Sequence, residues 1–272
     1  MKDGRFTGTK TYLLANWPRF VLLYLGMVAA LIIIGISAMR GWLSFIPLAT
    51  AVFLILIYFI VAGIWEARKR FDFDGITPHH VLFDMGQIPA TERFAYVDLG
   101  LQTPPIGLSR RLTTGQVIVI DIYNPQWTVS QWLVRWRVQQ KPPPNDPRLS
   151  WRDGDLSLLP LPDESVNTVM LCHVAGEFWQ DGDRLALLQE AYRILKPRGQ
   201  LLLAESVRSQ TNWLIRGLSA LNLPTTDYWH TLLQQSGYRI RSEKNVSGLS
   251  YCVRAQKPTP AEAQQLSFKL EF

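Results

Sequence analysis

The chain has 272 residues, of which 47% are hydrophobic and 18% charged, enough for one large domain or two small ones. Its formal net charge is +6, but residues 1–70 hold eight of the 28 Lys/Arg and two of the 22 Asp/Glu, which leaves 20 of each for the rest. A net-neutral remainder offers no basic footprint, so the composition argues against a nucleic-acid partner.

Two uncharged apolar runs, residues 20–37 and 43–65, come first. Each has the roughly 18–20 residues that a helix needs to cross a bilayer core, so both are predicted transmembrane helices. Trp17, Trp42 and Trp65 stand where interfacial aromatic residues are found. A signal peptide is the rival interpretation of the first run; the second run, and the lack of a small-residue cleavage pattern between them, argue against it.

The basic residues predict the orientation of this hairpin. Seven of the eight in residues 1–70 flank it, and only Arg40 lies in the turn. The positive-inside rule therefore places both ends on the cytoplasmic side. We expect an integral protein of the cytoplasmic or inner membrane with an anchor over 1–70, a cytoplasmic domain over 71–256 and a polar tail over 257–272.

The remaining chain alternates apolar runs with helical patterns. Candidate strands are residues 94–99, 117–122, 166–171, 200–205, 238–244 and 249–256, and candidate helices are 183–195 and 226–236. Continuous Val/Ile/Leu strands separated by helices predict a parallel sheet covered on both faces. Only Asn245–Gly248 separates the last two strands, so they should pair antiparallel. The predicted fold class is α/β, Rossmann-like and mostly parallel, preceded by two transmembrane helices.

The stretch Gly154–Leu203 contains three short motifs in order: Gly-Asp-Leu, the turn Leu-Pro-Leu-Pro-Asp, and Leu-Lys-Pro-Arg-Gly at a helix end. With them, residues 93–256 resemble class I S-adenosylmethionine (SAM)-dependent methyltransferases of the ubiquinone/menaquinone type. The resemblance implies SAM as cofactor. It assigns the cofactor site to Asp98, Gly100, Asp121, Ile122, Asp155, Leu156 and Cys172.

Three of these residues have specific implied roles. Gly100 opens the family's glycine loop, Asp121 is the acid that accepts the ribose hydroxyls, and Asp155 is the acid that addresses adenine. The loop departs from the family where Gln102 and Pro104 replace glycines. A side chain restricts the backbone and proline lacks an amide donor, so SAM occupancy is in question.

Several of these residues also have a purely structural interpretation. An aspartate at a strand end can simply cap the next turn, which applies to Asp121 and Asp155 taken singly. Cys172 lies in an apolar strand, as a buried thiol would. His173 is the one candidate for a catalytic base, although a histidine at a strand end is more often a structural hydrogen-bonding residue. The sequence has no cluster with metal-ligand spacing.

Residues 123–141 are rich in Trp and Arg. Val129, Trp132, Leu133 and Trp136 share one helical stripe, whereas Arg135 and Arg137 lie off it. Such a helix can pack on the sheet. In a membrane-anchored protein it could instead lie at the lipid headgroups.

Two functions remain open. The first is a membrane-anchored SAM-dependent methyltransferase acting on a hydrophobic acceptor such as a quinone, isoprenoid, pigment or lipid. The second is a catalytically degenerate methyltransferase-like subunit of a membrane complex. The loss of loop glycines at positions 102 and 104 favours the second, and the small residues of the first apolar run suit packing against other integral subunits.

Overall fold

The computed structural model describes residues 7–72, 77–128, 130–140, 142–259 and 261–262. They form two compact units. One comprises the N-terminal residues through position 76 together with Leu214–Gly217, and the other comprises Thr77–Trp213 and the residues from Leu218 onward. Val129 of the Trp/Arg stripe, Lys141 and most of the predicted polar tail lie outside the described residues.

The described residues 7–72 of the N-terminal unit form the helices α1 (Thr7–Ala15), α2 (Trp17–Arg40) and α3 (Phe45–Phe71). The first apolar run lies inside α2, and the second lies inside α3 except for its first two residues, 43 and 44; both helices are long and apolar enough to cross a membrane. Helix α2 ends at Arg40 and is capped by Gly41, whose φ of +73° is the left-handed conformation that glycine tolerates. The sequence did not predict α1, whose Thr9 backbone amide donates to the Asp72 carboxylate at 2.9 Å.

The second unit is built on a seven-stranded sheet. Its strands are β1 (Arg93–Asp98), β2 (Gln116–Asp121), β3 (Leu149–Asp153), β4 (Val166–Cys172), β5 (Leu195–Glu205), β6 (Arg239–Val246) and β7 (Ser250–Gln256). They lie in the order β3-β2-β1-β4-β5-β7-β6. Strand β7 runs antiparallel to both β5 and β6, and the pairs among β1 to β5 are parallel. The predicted Rossmann-like sheet with an antiparallel end is confirmed.

The described residues between and around the strands form the helices α4 (Pro78–Met85), α5 (Thr103–Ser109), α6 (Gln131–Val138), α7 (Asp181–Ile194), α8 (Gln210–Arg216) and α9 (Thr226–Gln235); the last three residues of α8 belong to the N-terminal unit. Short 3-10 helices cover Ala175–Glu177 and Gly217–Asn222. The central strand β1 is buried from its second residue to its last, because neighbouring strands and helices on both faces exclude water from it. Its carboxyl end is therefore held rigidly.

Two details of the sheet differ from the prediction. Strand β3 was missing from the candidate strands because its sequence, Leu-Ser-Trp-Arg-Asp, is largely polar and only its first residue is buried. Strand β5 begins at Leu195, where the predicted helix was to end, since Leu195 already pairs with Val166 of β4. Both the presence of β3 and the start of β5 are determined by pairing with a neighbouring strand, which the local sequence does not reveal.

Helix α6 contains the Trp/Arg-rich residues. Leu133 and Trp136 are buried, whereas Val134 and Val138 on the opposite side are exposed. This burial is what the packed-helix interpretation requires, and it directs Arg137 toward the strand ends described below.

Candidate functional site

The carboxyl ends of three adjacent strands each carry an aspartate. Asp98 of β1 is in register with Asp121 of β2, and Asp121 is in register with Asp153 of β3. The chain order reverses between β1 and β4, and ligands of open α/β sheets bind beyond the carboxyl ends of the strands at such a point. This edge is the candidate site.

Asp98 holds the loop that follows β1. Its side chain is buried, and one carboxylate oxygen accepts the backbone amide of Gln102 at 3.0 Å. Burial raises the pKa of Asp98 to about 6; the neighbouring Asp121 also raises it, while the loop amides act in the opposite direction. Asp98 is therefore a structural acid under the loop.

The loop keeps a glycine-like backbone despite its substitutions. Gly100 has a φ of +83°, and Gln102 has a φ of +57°, which a side chain rarely adopts. Pro104 lies in the first turn of α5, where a helix needs no amide donor, so it removes no bond from that helix. Whether Gln102 and Pro104 obstruct a cofactor stays a prediction.

Arg137 occupies the space beside the implied ribose acid. Its Nη1 lies 2.7 and 3.0 Å from the two carboxylate oxygens of Asp121 and 2.9 Å from the carbonyl oxygen of Leu99. The guanidinium is 4.3 Å from the ring centre of Tyr123. A Cβ placed on Gly100 would lie 1.8 Å from Nη1, so the glycine admits this arginine. The sequence prediction missed this contact.

A cavity of about 290 Å³ remains at this edge, lined in part by Gly100, Gln102, Asp121, Trp151 and Asp153. Small-molecule sites usually measure about 300–1,000 Å³, so it is at the small end for a nucleoside cofactor. Within the described part of the chain, the buried Nε1 of Trp151 has no hydrogen-bond partner. The Asp121 carboxylate that lines the cavity is the group that the ribose of SAM would need, and Arg137 already bonds that carboxylate.

The predicted adenine acid lies apart from this cavity. Asp155 is exposed, and its Oδ1 accepts the backbone amide and the hydroxyl of Ser157 at 2.9 and 2.6 Å. These bonds lower the pKa of Asp155. The turn-capping interpretation describes this geometry, and Asp153 rather than Asp155 lines the cavity.

Two further predicted residues flank the strand ends from inside. Ile122 is buried, and its amide donates to the carbonyl of Asp98 at 3.0 Å. Leu156 is buried in the turn after β3. Neither is among the residues that line the cavity, so their role toward a cofactor stays a prediction.

A second polar group lies at the ends of β4 and β5. The Nε2 of His173 lies 3.1 Å from the hydroxyl of Ser250, and its Nδ1 lies 3.5 Å from the hydroxyl of Ser206 and 4.0 Å from Glu205. Glu205 is buried, which raises its pKa to about 8 although backbone amides of the turn at 174–176 oppose the shift. Cys172, the last residue of β4, is a buried thiol.

The family model described as "Methyltransferase domain" matches residues 100–203. Human acetylserotonin O-methyltransferase is 26% identical over 152 residues, which are 52% of this chain and 41% of that protein. The chain thus spans less than half the length of this curated relative.

Two solved structures share the architecture of the second unit. A SAM-dependent methyltransferase from Aquifex aeolicus is 18% identical with a TM-score of 0.53 and covers 66% of this chain and 89% of its own. Human N-acetylserotonin methyltransferase in complex with SAM is 19% identical with a TM-score of 0.50 and covers 75% of this chain and 56% of its own. These likenesses establish the class I methyltransferase fold.

Proposed function

We propose that this chain, which has the class I SAM-dependent methyltransferase fold, is a membrane-anchored methyltransferase that acts on a hydrophobic acceptor. The observation that carries the proposal is the geometry at the ends of β1 and β2. There the buried Asp98 holds a loop with glycine-type backbone at Gly100, and Asp121 faces the adjoining cavity.

Asp121 is the residue that we expect to accept the ribose hydroxyls. SAM, when bound, supplies an electrophilic methyl group on a sulfonium. Arg137 has to leave Asp121 for the cofactor to bind. Since an arginine side chain can rotate without moving the backbone, the obstruction is reversible, unlike one made by the main chain.

His173 is the candidate base for an acceptor hydroxyl. Its ring is about one fifth exposed, so a bound acceptor could reach it, and Ser250 fixes its orientation. A base within hydrogen-bond reach of the acceptor would remove its proton as the methyl group is transferred. In-line transfer from a sulfonium depends mainly on positioning, so one base is sufficient.

The acceptor class follows from the two apolar helices. We propose that α2 and α3 span the membrane, with the bases at both hairpin ends on the cytoplasmic side. A catalytic unit tied to the bilayer is suited to a quinone, isoprenoid, pigment or lipid dissolved in it.

Titration of the detergent-solubilised protein with S-adenosylhomocysteine tests the cofactor assignment. We expect saturable binding by the wild type and loss of binding in Asp121→Asn, because an amide cannot accept both ribose hydroxyl protons. Asp155→Asn is the matched control and should bind nearly as the wild type does, since Asp155 bonds Ser157 rather than the cavity. Absence of binding at millimolar ligand would remove the methyltransferase proposal.

One observation favours a second candidate, a catalytically inactive subunit of a membrane complex. The Arg137 guanidinium bonds both Asp121 and the loop carbonyl of Leu99, so the chain satisfies its own site. Co-purification separates the two: a stoichiometric complex with integral membrane proteins and no cofactor supports the subunit, whereas a monodisperse protein that binds the cofactor excludes it.

A further inference from the structure

The segment between β5 and α9 is anchored firmly at its base. We call residues 210–222, which are α8 and the following 3-10 helix, the α8 loop. The amide of Arg208 donates to the carbonyl of Pro224 at 2.8 Å. The buried Asn212 donates through Nδ2 to the carbonyls of Val207 and Leu249 at 2.9 and 3.1 Å. These bonds fix where the loop starts and ends.

The loop presents apolar side chains to its surroundings. Exposure is 51% for Trp213, 55% for Leu214, 77% for Leu218 and 50% for Leu221. Isolated exposed apolar residues are ordinary, but four within nine consecutive positions form a patch that indicates an interaction site.

Leu214–Gly217 belong to the N-terminal unit, and their contacts there indicate which surface the patch meets. Arg216 Nη2 lies 2.8 Å from the carboxylate of the buried Glu66 near the end of α3. A Cβ on Gly217 would lie 3.1 Å from the ring of Phe59. Phe59 precedes Trp65, the last residue of the apolar run, by six positions, which is about 9 Å along a helix axis.

We propose that the α8 loop is an interfacial membrane anchor whose Trp213, Leu214, Leu218 and Leu221 enter the boundary between headgroups and acyl chains of the bilayer. Interfacial helices bury their apolar face about 5–10 Å at this boundary. The inference rests on the membrane-spanning part of the proposed function and is independent of cofactor binding.

The test uses the full chain in lipid nanodiscs, with an environment-sensitive fluorophore on one introduced cysteine. Cys172 and Cys252 are buried and should not react in the folded protein. Leu218→Cys reports the loop. Val138→Cys, equally exposed on α6, is the matched control, and Leu31→Cys on α2 reports the hairpin itself. The quenchers are lipids spin-labelled at a shallow or a deep acyl position.

We expect the fluorophore at 218 to be quenched at least twofold more than that at 138, and more by the shallow than by the deep spin label. Equal quenching at 218 and 138 would overturn the inference, and so would a blue-shifted but unquenched signal at 218, which indicates contact with protein. Quenching at 31 without quenching at 218 would show that the hairpin enters the bilayer but that the α8 loop does not. Absence of quenching at position 31 would reject both membrane proposals. Titration of the same sample with S-adenosylhomocysteine tests cofactor binding separately.

Discussion

Gln102 shows most clearly how one residue departs from the usual cofactor loop without changing its path. Its amide is fixed by Asp98, and the backbone takes a φ of +57° although the residue carries a Cβ. Such conformations cost on the order of 1–3 kcal/mol and persist where the surrounding structure imposes them. The loop therefore keeps the shape that glycine would give it.

Gln102→Gly should stabilise the protein by about 1 kcal/mol, because relief of the strained φ exceeds the added entropy of the unfolded chain. The midpoint of thermal unfolding, followed by near-UV circular dichroism in detergent, measures the change. Gln116→Gly, in strand β2 where glycine only weakens the strand, should lower the midpoint. A Gln102→Gly protein less stable than the wild type would show that the side chain itself holds the loop.

Glu205 makes stability depend on pH. Its pKa is about 8 in the folded protein against 4.5 for a free glutamate, so the folded state binds more protons between these values. The free energy of unfolding should therefore be highest below about pH 4.5 as far as this group is concerned, and fall toward pH 8 by at most about 1.4 kcal/mol per pH unit.

Glu205→Gln should flatten that dependence, because glutamine has no proton to lose. Unfolding midpoints at pH 5, 6.5 and 8 give the slope. An unchanged slope in Glu205→Gln would assign the dependence to another group.

At the scale of elements, apolar runs in the sequence predicted the buried strands well, but they did not predict contacts between residues far apart in the chain. The buried strands β1, β2 and β4 have continuous apolar sequences and were found within about one residue at either end. Strand β3, polar and at the sheet edge, was not. The Asp121–Arg137 pair was also missed, because the direction of a helical side chain depends on how α6 packs, which its own sequence does not specify.

Helix α6 gives a direct test of this packing. Trp136→Ala should cost about 3–5 kcal/mol of stability, since the indole is almost fully buried and its removal leaves a cavity. Val138→Ala, two residues on and 81% exposed, should change stability by less than about 0.5 kcal/mol. Comparable unfolding midpoints for the two variants would instead favour a surface role for the tryptophan.

For the whole molecule, the distribution of charge is the main argument for the proposed membrane topology. The excess of bases is confined to the ends of the apolar hairpin, and the rest of the chain is neutral. The proposed topology therefore has the turn outside and both ends inside.

Cysteine labelling in intact cells tests that topology. A membrane-impermeant maleimide should modify Met39→Cys, which lies beside the turn and is 90% exposed, from the outside. Val138→Cys should react only after the membrane is permeabilised. Labelling of both positions from the same side would contradict the predicted orientation.

The affinity for S-adenosylhomocysteine of Arg137→Ala relative to the wild type tests the central claim most directly. Charge-assisted hydrogen bonds contribute about 1.5–3 kcal/mol, so freeing Asp121 should tighten binding roughly tenfold or more. Adding Asp121→Asn to Arg137→Ala should abolish the gain. Weaker binding by Arg137→Ala, or no binding by either protein at millimolar ligand, would contradict a cofactor site at Asp121 that Arg137 occupies.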